Sequence, residues 1–213
     1  MKLQHKTSPF SPSGWYESED GQSFRRVVGG VAWPFGEQPG MCVVVGEDLE
    51  VDRDFGVRHL RVLGEWQDWL GLSFVELRPM LDCMAFQRQA MQARPWYGEM
   101  GPWQRIISGF NAEQAKMRQA TIQVYPPTGQ IDFAFHAGLV RSRVMHEKTL
   151  HLGNGVLGAK LGLLPADLSS EKHEAHPAVA ALFHAVAGLD LTARTTTGLP
   201  ERKHGMADKS GGY

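Results

Sequence analysis

Two cysteines, Cys42 and Cys83, are all the thiols in 213 residues. A pair makes no disulfide framework, and neither stands in a CxxC that could begin a zinc or redox motif. The expectation is reduced, buried thiols in a cytoplasmic protein. Long hydrophobic runs are missing too. None approaches the roughly 20 residues a membrane helix needs, so no membrane association is expected. The start, Met1-Lys2-Leu3-Gln4-His5-Lys6, is polar with no apolar stretch behind it, and no secretory signal is expected there. Excess charge of either sign is absent: 22 Lys and Arg stand against 23 Asp and Glu, for a net charge of −1. A nucleic-acid binder draws affinity from phosphate neutralisation and normally carries a basic excess. Any such contact here must use a local face. Catalytic signatures are scarce as well. Ser73, Ser108 and Ser142 have no GxSxG setting, neither cysteine has a neighbouring histidine, and no GxxxxGK[ST] occurs. The Gly-rich stretch at 153–162 lacks GxGxxG after a strand. Nucleophilic hydrolysis, a P-loop and a dinucleotide site therefore have no support.

What is present is a body of changing periodicity between two polar ends. Residues 1–24 are rich in Ser, Gly and Pro and read as a flexible N-terminal arm, and residues 192–213 as a disordered tail. The ordered domain is expected over 25–191. Strands are expected at Phe24–Trp33, Gly40–Gly46 and Val57–Trp66, the last two joined by the polar loop "GEDLEVDRDFG". Residues 70–92 read as helical in part, broken at Pro79. A short strand in "RPWYGEMG", a helix over Trp103–Lys116, and a strand, turn and extended piece in "ATIQVYPPTGQIDFAF" follow. A helix over His136–Lys148 and a short extended "TLHLGNG" come next. The last helix is expected from His176-Pro177 to about Leu189, with Val179, Leu182, Phe183, Val186 and Leu189 in one apolar stripe and Pro at the first helical position. Three strands in succession and then alternation with helices imply an α/β protein with a mixed sheet flanked by helices.

Four stretches carry a resemblance: "GGVAWPFGEQPGMCVVVG", "RPWYGE", "VYPPTGQIDFAFHAGLVRSRVMHEKTLHL" and "EKHEAHPAVAALFHAVAGL". In order and pattern they resemble the nuclease domain of phage terminase large subunits, over most of residues 27–190. The resemblance implies an RNase H-like fold, and a phage or prophage protein. It also implies phosphodiester hydrolysis by clustered carboxylates holding two Mg or Mn ions. The terminase ATPase domain has no counterpart in this chain. The first-strand acid of the family falls at Ala32, which cannot ligate a hard cation. The fourth-strand acid falls at Glu99. The acid at the start of the last helix falls near Glu174, Ala175 or His176. Glu37, in the loop after Trp33, is the nearby substitute for the missing first acid. Candidate catalytic residues are thus Glu99 and Glu174, and candidate metal ligands are Glu99, Glu174, His176 and Glu37. Without surviving activity no cofactor is expected.

Other side chains admit both a chemical and an ordinary structural reading. His173, His176 and His184 have partial metal spacing but lack a full ligand set; His184 reads as a residue on a partly buried helix face. His146 and His151 read as a wet helix end. Arg105, Arg141, Arg143 and Lys148 are candidate phosphate contacts, or a solvated face with Glu147 among them. Six tryptophans serve a core or a protein interface, or stack on bases. Three roles follow. The leading expectation is a terminase-nuclease-like protein with a degraded metal site, binding DNA or phage assembly proteins. The second is an active Mn- or Mg-dependent nuclease with rearranged ligands. The third is a non-enzymatic α/β assembly protein unrelated to nucleic acid.

Overall fold

The computed structural model describes residues 1–9, 11–35, 37–54, 56–69, 74–126, 133–153, 155 and 177–196. The first expectation it corrects is the N-terminal arm. Residues 1–24 supply two strands, β1 (Leu3–Ser8) and β2 (Ser11–Ser18), paired antiparallel from Leu3↔Ser18 to Ser8↔Ser11. A turn returns the chain into β3 (Ser23–Ala32), with Ser18 N–H bonded to the Gln22 carbonyl at 2.9 Å and Gly21 at φ +84°. The hairpin is polar because it forms an edge of the sheet, yet Leu3 is buried and anchors it.

β3, β4 (Gly40–Val51) and β5 (Arg58–Trp69) form an antiparallel meander. β4 runs well past Gly46, into residues expected as a loop. The polar side chains there make cross-strand ion pairs: Arg26 with Glu47 at 2.7 Å, and Arg61 with Asp48 at 2.9 Å. Opposite charges on neighbouring strands keep a polar stretch in the ladder.

After β5 the chain forms α1 (Phe74–Ala90), β6 (Trp96–Tyr97), α2 (Trp103–Lys116) and β7 (Val124–Tyr125). β6 pairs parallel with β3, and β7 parallel with β6. The central order is therefore β5-β4-β3-β6-β7, with β4 alone antiparallel to the other four. By order of appearance this is 3-2-1-4-5, the arrangement of the RNase H-like fold.

Pro79 does not break α1, contrary to expectation. A proline in a helix interior removes one backbone hydrogen bond. Here it lies on the exposed side, while Leu77, Met80, Leu81, Met84 and Ala85 are buried at helical spacing. Each such burial is worth about 1.5–3 kcal/mol, which outweighs a single lost bond.

α3 (Phe133–Met145) begins three residues earlier than expected, so Phe133–Phe135 are helical. β8 (Leu150–His151) then pairs parallel with β5 on the far side of the sheet. α4 (Pro177–Thr196) closes the domain. It carries more than one apolar stripe: from Ala178 to Leu189 only Ala180 is less than buried. A helix apolar all round belongs inside a domain, and α4 lies across β3 and β4. No helix among the described residues is long and apolar enough to cross a membrane.

Alternation along β3 divides the core. Val27 and Val31 join the cluster made with α1 and α2, whereas Val28 and Ala32 join the one made with α3 and α4. Gly29 and Gly30 interrupt that alternation for a steric reason. A Cβ on Gly29 would lie 2.0 Å from the Trp96 ring, and one on Gly30 would lie 1.9 Å from the Ala181 carbonyl oxygen. The pair lets an indole approach one face of β3 and the backbone of α4 approach the other.

Candidate functional site

The C-terminal ends of parallel neighbours β3 and β6 open side by side, and the first turn of α4 lies across them. Between them is a pocket of about 150 Å³. Among the described residues it is lined by Ala32, Trp33, Phe35, Glu99, Trp103, Pro177 and Ala180. Ala32 and Glu99 are therefore neighbours in the fold, beside the start of the closing helix. Glu174 and His176 lie outside the described residues, as does His173. Pro177, the first described residue of α4, lines the pocket.

Local bonding builds the aromatic wall. Trp33 donates its indole N–H to the Glu99 carbonyl at 2.6 Å, tying the end of β3 to the segment after β6. Its ring stacks on Trp103, with centroids 5.4 Å apart and planes at 21°. Phe35 and Gln38 exchange backbone hydrogen bonds of 3.1 and 2.9 Å, closing a tight turn after Pro34. This turn presents Phe35, 65% exposed, at the pocket mouth. Glu37 is exposed within the turn and is not among the lining residues. His184 rises from α4 into the base of the pocket. It is buried, beyond the partial burial expected, and its Nδ1 lies 2.8 Å from the Val31 carbonyl, to which it donates.

Among the described residues the pocket lining offers fewer carboxylates than a two-metal centre needs, while Glu174 and His176, just before Pro177, lie outside them. Two divalent ions about 4 Å apart need several shared carboxylates. Among the described residues lining the pocket, Glu99 is the one carboxylate, and the position beside it is a methyl group. Aromatic and aliphatic surface fills the space instead. Such a pocket suits a flat, largely apolar group carrying a hydrogen-bond donor that Glu99 can accept.

The candidate cations divide between the two faces of the sheet. Arg105 is exposed on α2, in a groove beside Trp103 that Gln104 and Ser108 also line. Arg141 and Arg143 are on α3, and Lys148 follows it. α2 and α3 pack on opposite faces, so the four do not form one patch. Arg143 is engaged with Asp190 of α4 at 2.8 Å. The two cysteines meet across β4 and α1. Cys42 is buried and Cys83, expected to be buried too, is half-buried; burial pushes the Cys42 thiol well above its ordinary value.

Sequence reading missed two groupings. The first is Trp103 with Trp33, whose rings stack although they are far apart in the chain. The signal was "WPF" directly after Ala32, an aromatic cluster at a strand end where a site is expected. The second grouping had no sequence signal, because its two histidines are 92 residues apart. His59 Nδ1 lies 2.8 Å from His151 Nε2, and His59 Nε2 lies 2.7 Å from Asp52 Oδ2. His151 thus belongs with β5 rather than with His146, which is exposed.

The strand order and the helices on both faces define the class: an α/β protein with an RNase H-like mixed sheet. No family model matches the chain, and no curated protein matches it. Among solved structures it is similar to the Holliday junction resolvase of fowlpox virus. The two share 10% identity with a TM-score of 0.40, over 78% of this chain and 99% of the resolvase.

Proposed function

We propose that this chain is a nuclease-like protein of the phage terminase type that has lost its two-metal chemistry. It now binds a nucleic-acid strand, with an unstacked base held in the former catalytic position. The observation that carries the reading is the exchange at that position. Ala32 stands where the terminase resemblance puts an acid, and Trp33, Trp103 and Phe35 line the pocket beside it. Bases stack on aromatic side chains without sequence preference, for about 1–3 kcal/mol each. An exocyclic amino group can donate to Glu99.

The test is fluorescence anisotropy with a labelled single-stranded oligonucleotide, run beside plasmid cleavage in Mn²⁺. Binding without cleavage is expected, with affinity falling about tenfold in Trp103→Ala and also reduced in Phe35→Ala. Phe35 is exposed, so its replacement leaves the fold unstrained. Cleavage that Glu99→Ala abolishes would overturn the proposal in favour of an active nuclease with substitute ligands. Absence of binding at low salt would favour an assembly protein.

A further inference from the structure

At the opposite end of the sheet from the aromatic pocket, where β6 and β7 begin, the surface holds a second concavity of about 300 Å³. It lies between the end of α1 and the segment leading into β7. Its polar lining is Arg88, Gln89, Gln92, Arg94, Gln119 and Thr121, with no carboxylate among the described residues. The next residue along, Arg118, is exposed. Two guanidinium groups and three carboxamides therefore line the groove with no acidic side chain among the described lining residues, in a chain whose overall charge is −1. Four arginines elsewhere in the fold face acids: Arg26 with Glu47, Arg61 with Asp48, Arg78 with Asp82 and Glu113, and Arg143 with Asp190.

The groove is also built. Arg88 is half-buried, and its Nη1 donates to both the carbonyl and the hydroxyl oxygen of Thr121. This fixes one guanidinium across the floor, with N–H groups beyond Nη1 on the same planar fork. The backbone N–H of Arg94 is bonded to the Val27 carbonyl at 3.2 Å, which sets its position beside β3, while its side chain is exposed. Gln92 is held by a bond from its Nε2 to the Gln89 carbonyl at 3.2 Å. One hydrogen-bonded and one exposed guanidinium, flanked by neutral amide donors, match the fork geometry that binds phosphate oxygens bidentately. An uncompensated cationic concavity also concentrates anions from solution.

We infer that this groove is a phosphate-binding site, and that the ligand it takes is a phosphate group of a polynucleotide backbone. It is distinct from the aromatic pocket and does not need it. The chemistry is shared with free phosphate and pyrophosphate, so the experiment separates the sources.

The protein is titrated with pyrophosphate by calorimetry and with a labelled single-stranded oligonucleotide by anisotropy. Wild type, Arg94→Ala, Arg88→Lys and Trp103→Ala are compared. Arg94 is exposed, so its replacement leaves the fold intact. Arg88→Lys keeps charge but loses the fork. The expected result is a roughly tenfold weaker oligonucleotide affinity in Arg94→Ala. The slope of log affinity against log salt should be smaller by about 1, with a lesser loss in Arg88→Lys. Pyrophosphate should bind weakly and compete. Oligonucleotide binding that Trp103→Ala weakens but neither arginine variant changes overturns the groove and leaves the aromatic pocket standing. Arg94-dependent pyrophosphate binding with no oligonucleotide binding keeps a phosphate site, overturns the backbone assignment, and removes the proposed function with it. Arg94-independent binding of both ligands overturns the groove as well.

Discussion

A Cβ on Gly30 would lie 1.9 Å from the carbonyl oxygen of Ala181 and 2.8 Å from the amide nitrogen of Ala185. Both are backbone atoms of α4, and neither can step aside as a side-chain tip could. Gly30→Ala is therefore expected to destabilise the fold by about 3 kcal/mol or more, measured as a lower urea midpoint. Gly21→Ala gives the contrast: a Cβ there meets nothing within 4 Å, and the penalty is only that of the left-handed backbone at φ +84°. A loss in Gly30→Ala no larger than in Gly21→Ala would show that α4 does not sit this close to β3. "VVGGV" was legible as a strand but not as a helix-docking surface. The partner that makes Gly30 indispensable is 151 residues further on. Glu99 was legible at its place beside Ala32 because short strands end in recognisable turns. Trp33 was visible, but its stacking on Trp103 depends on how α2 leaves β6.

At the scale of elements, boundaries moved where polar residues were paired out of sight. Glu47 and Asp48 looked like loop residues until Arg26 and Arg61 were opposite them. Asn111 shows the same effect. Its side chain both donates to and accepts from the backbone of Ile122, at 2.7 and 2.8 Å, and so aligns the entry to β7. No periodicity announces such a clamp. The β5–β8 joint has a measurable consequence. Burial, and the positive charge of Arg61 and His59 nearby, lower the pKa of His151 below its ordinary value, against a smaller opposing effect of Asp48. The unfolded chain therefore takes up this proton first. The stabilisation is present above about pH 6.5, the unperturbed histidine value, and is lost as pH falls from there through the lower folded value. Urea midpoints should decline between pH 7.5 and pH 5, and His151→Gln should flatten part of that decline. An unchanged pH dependence in the variant would remove His151 as a cause.

For the whole molecule, balanced charge sets how it meets a polyanion. Long-range attraction is weak at a net charge of −1, so binding must rest on a few local contacts with stacking alongside. The slope of log affinity against log salt should then be shallow, about −1.5 to −2, as for two or three neutralised phosphates on a single strand. Anisotropy titrations from low to physiological salt measure it. A slope near −6 would mean a broad basic footprint that this fold does not present.

The way α4 completes the core also has a temporal side. His184 bonds to Val31 across 153 positions of chain, and among the described helices α4 makes the closest cover on β3 and β4. As the chain leaves a ribosome, the meander and its first two helices emerge long before that cover arrives. A row of valines must wait exposed, in pairings of high sequence separation that form slowly. Synthesis therefore imposes an interval in which this protein is a half-shielded sheet, and its yield in a cell depends on what chaperones do during that interval.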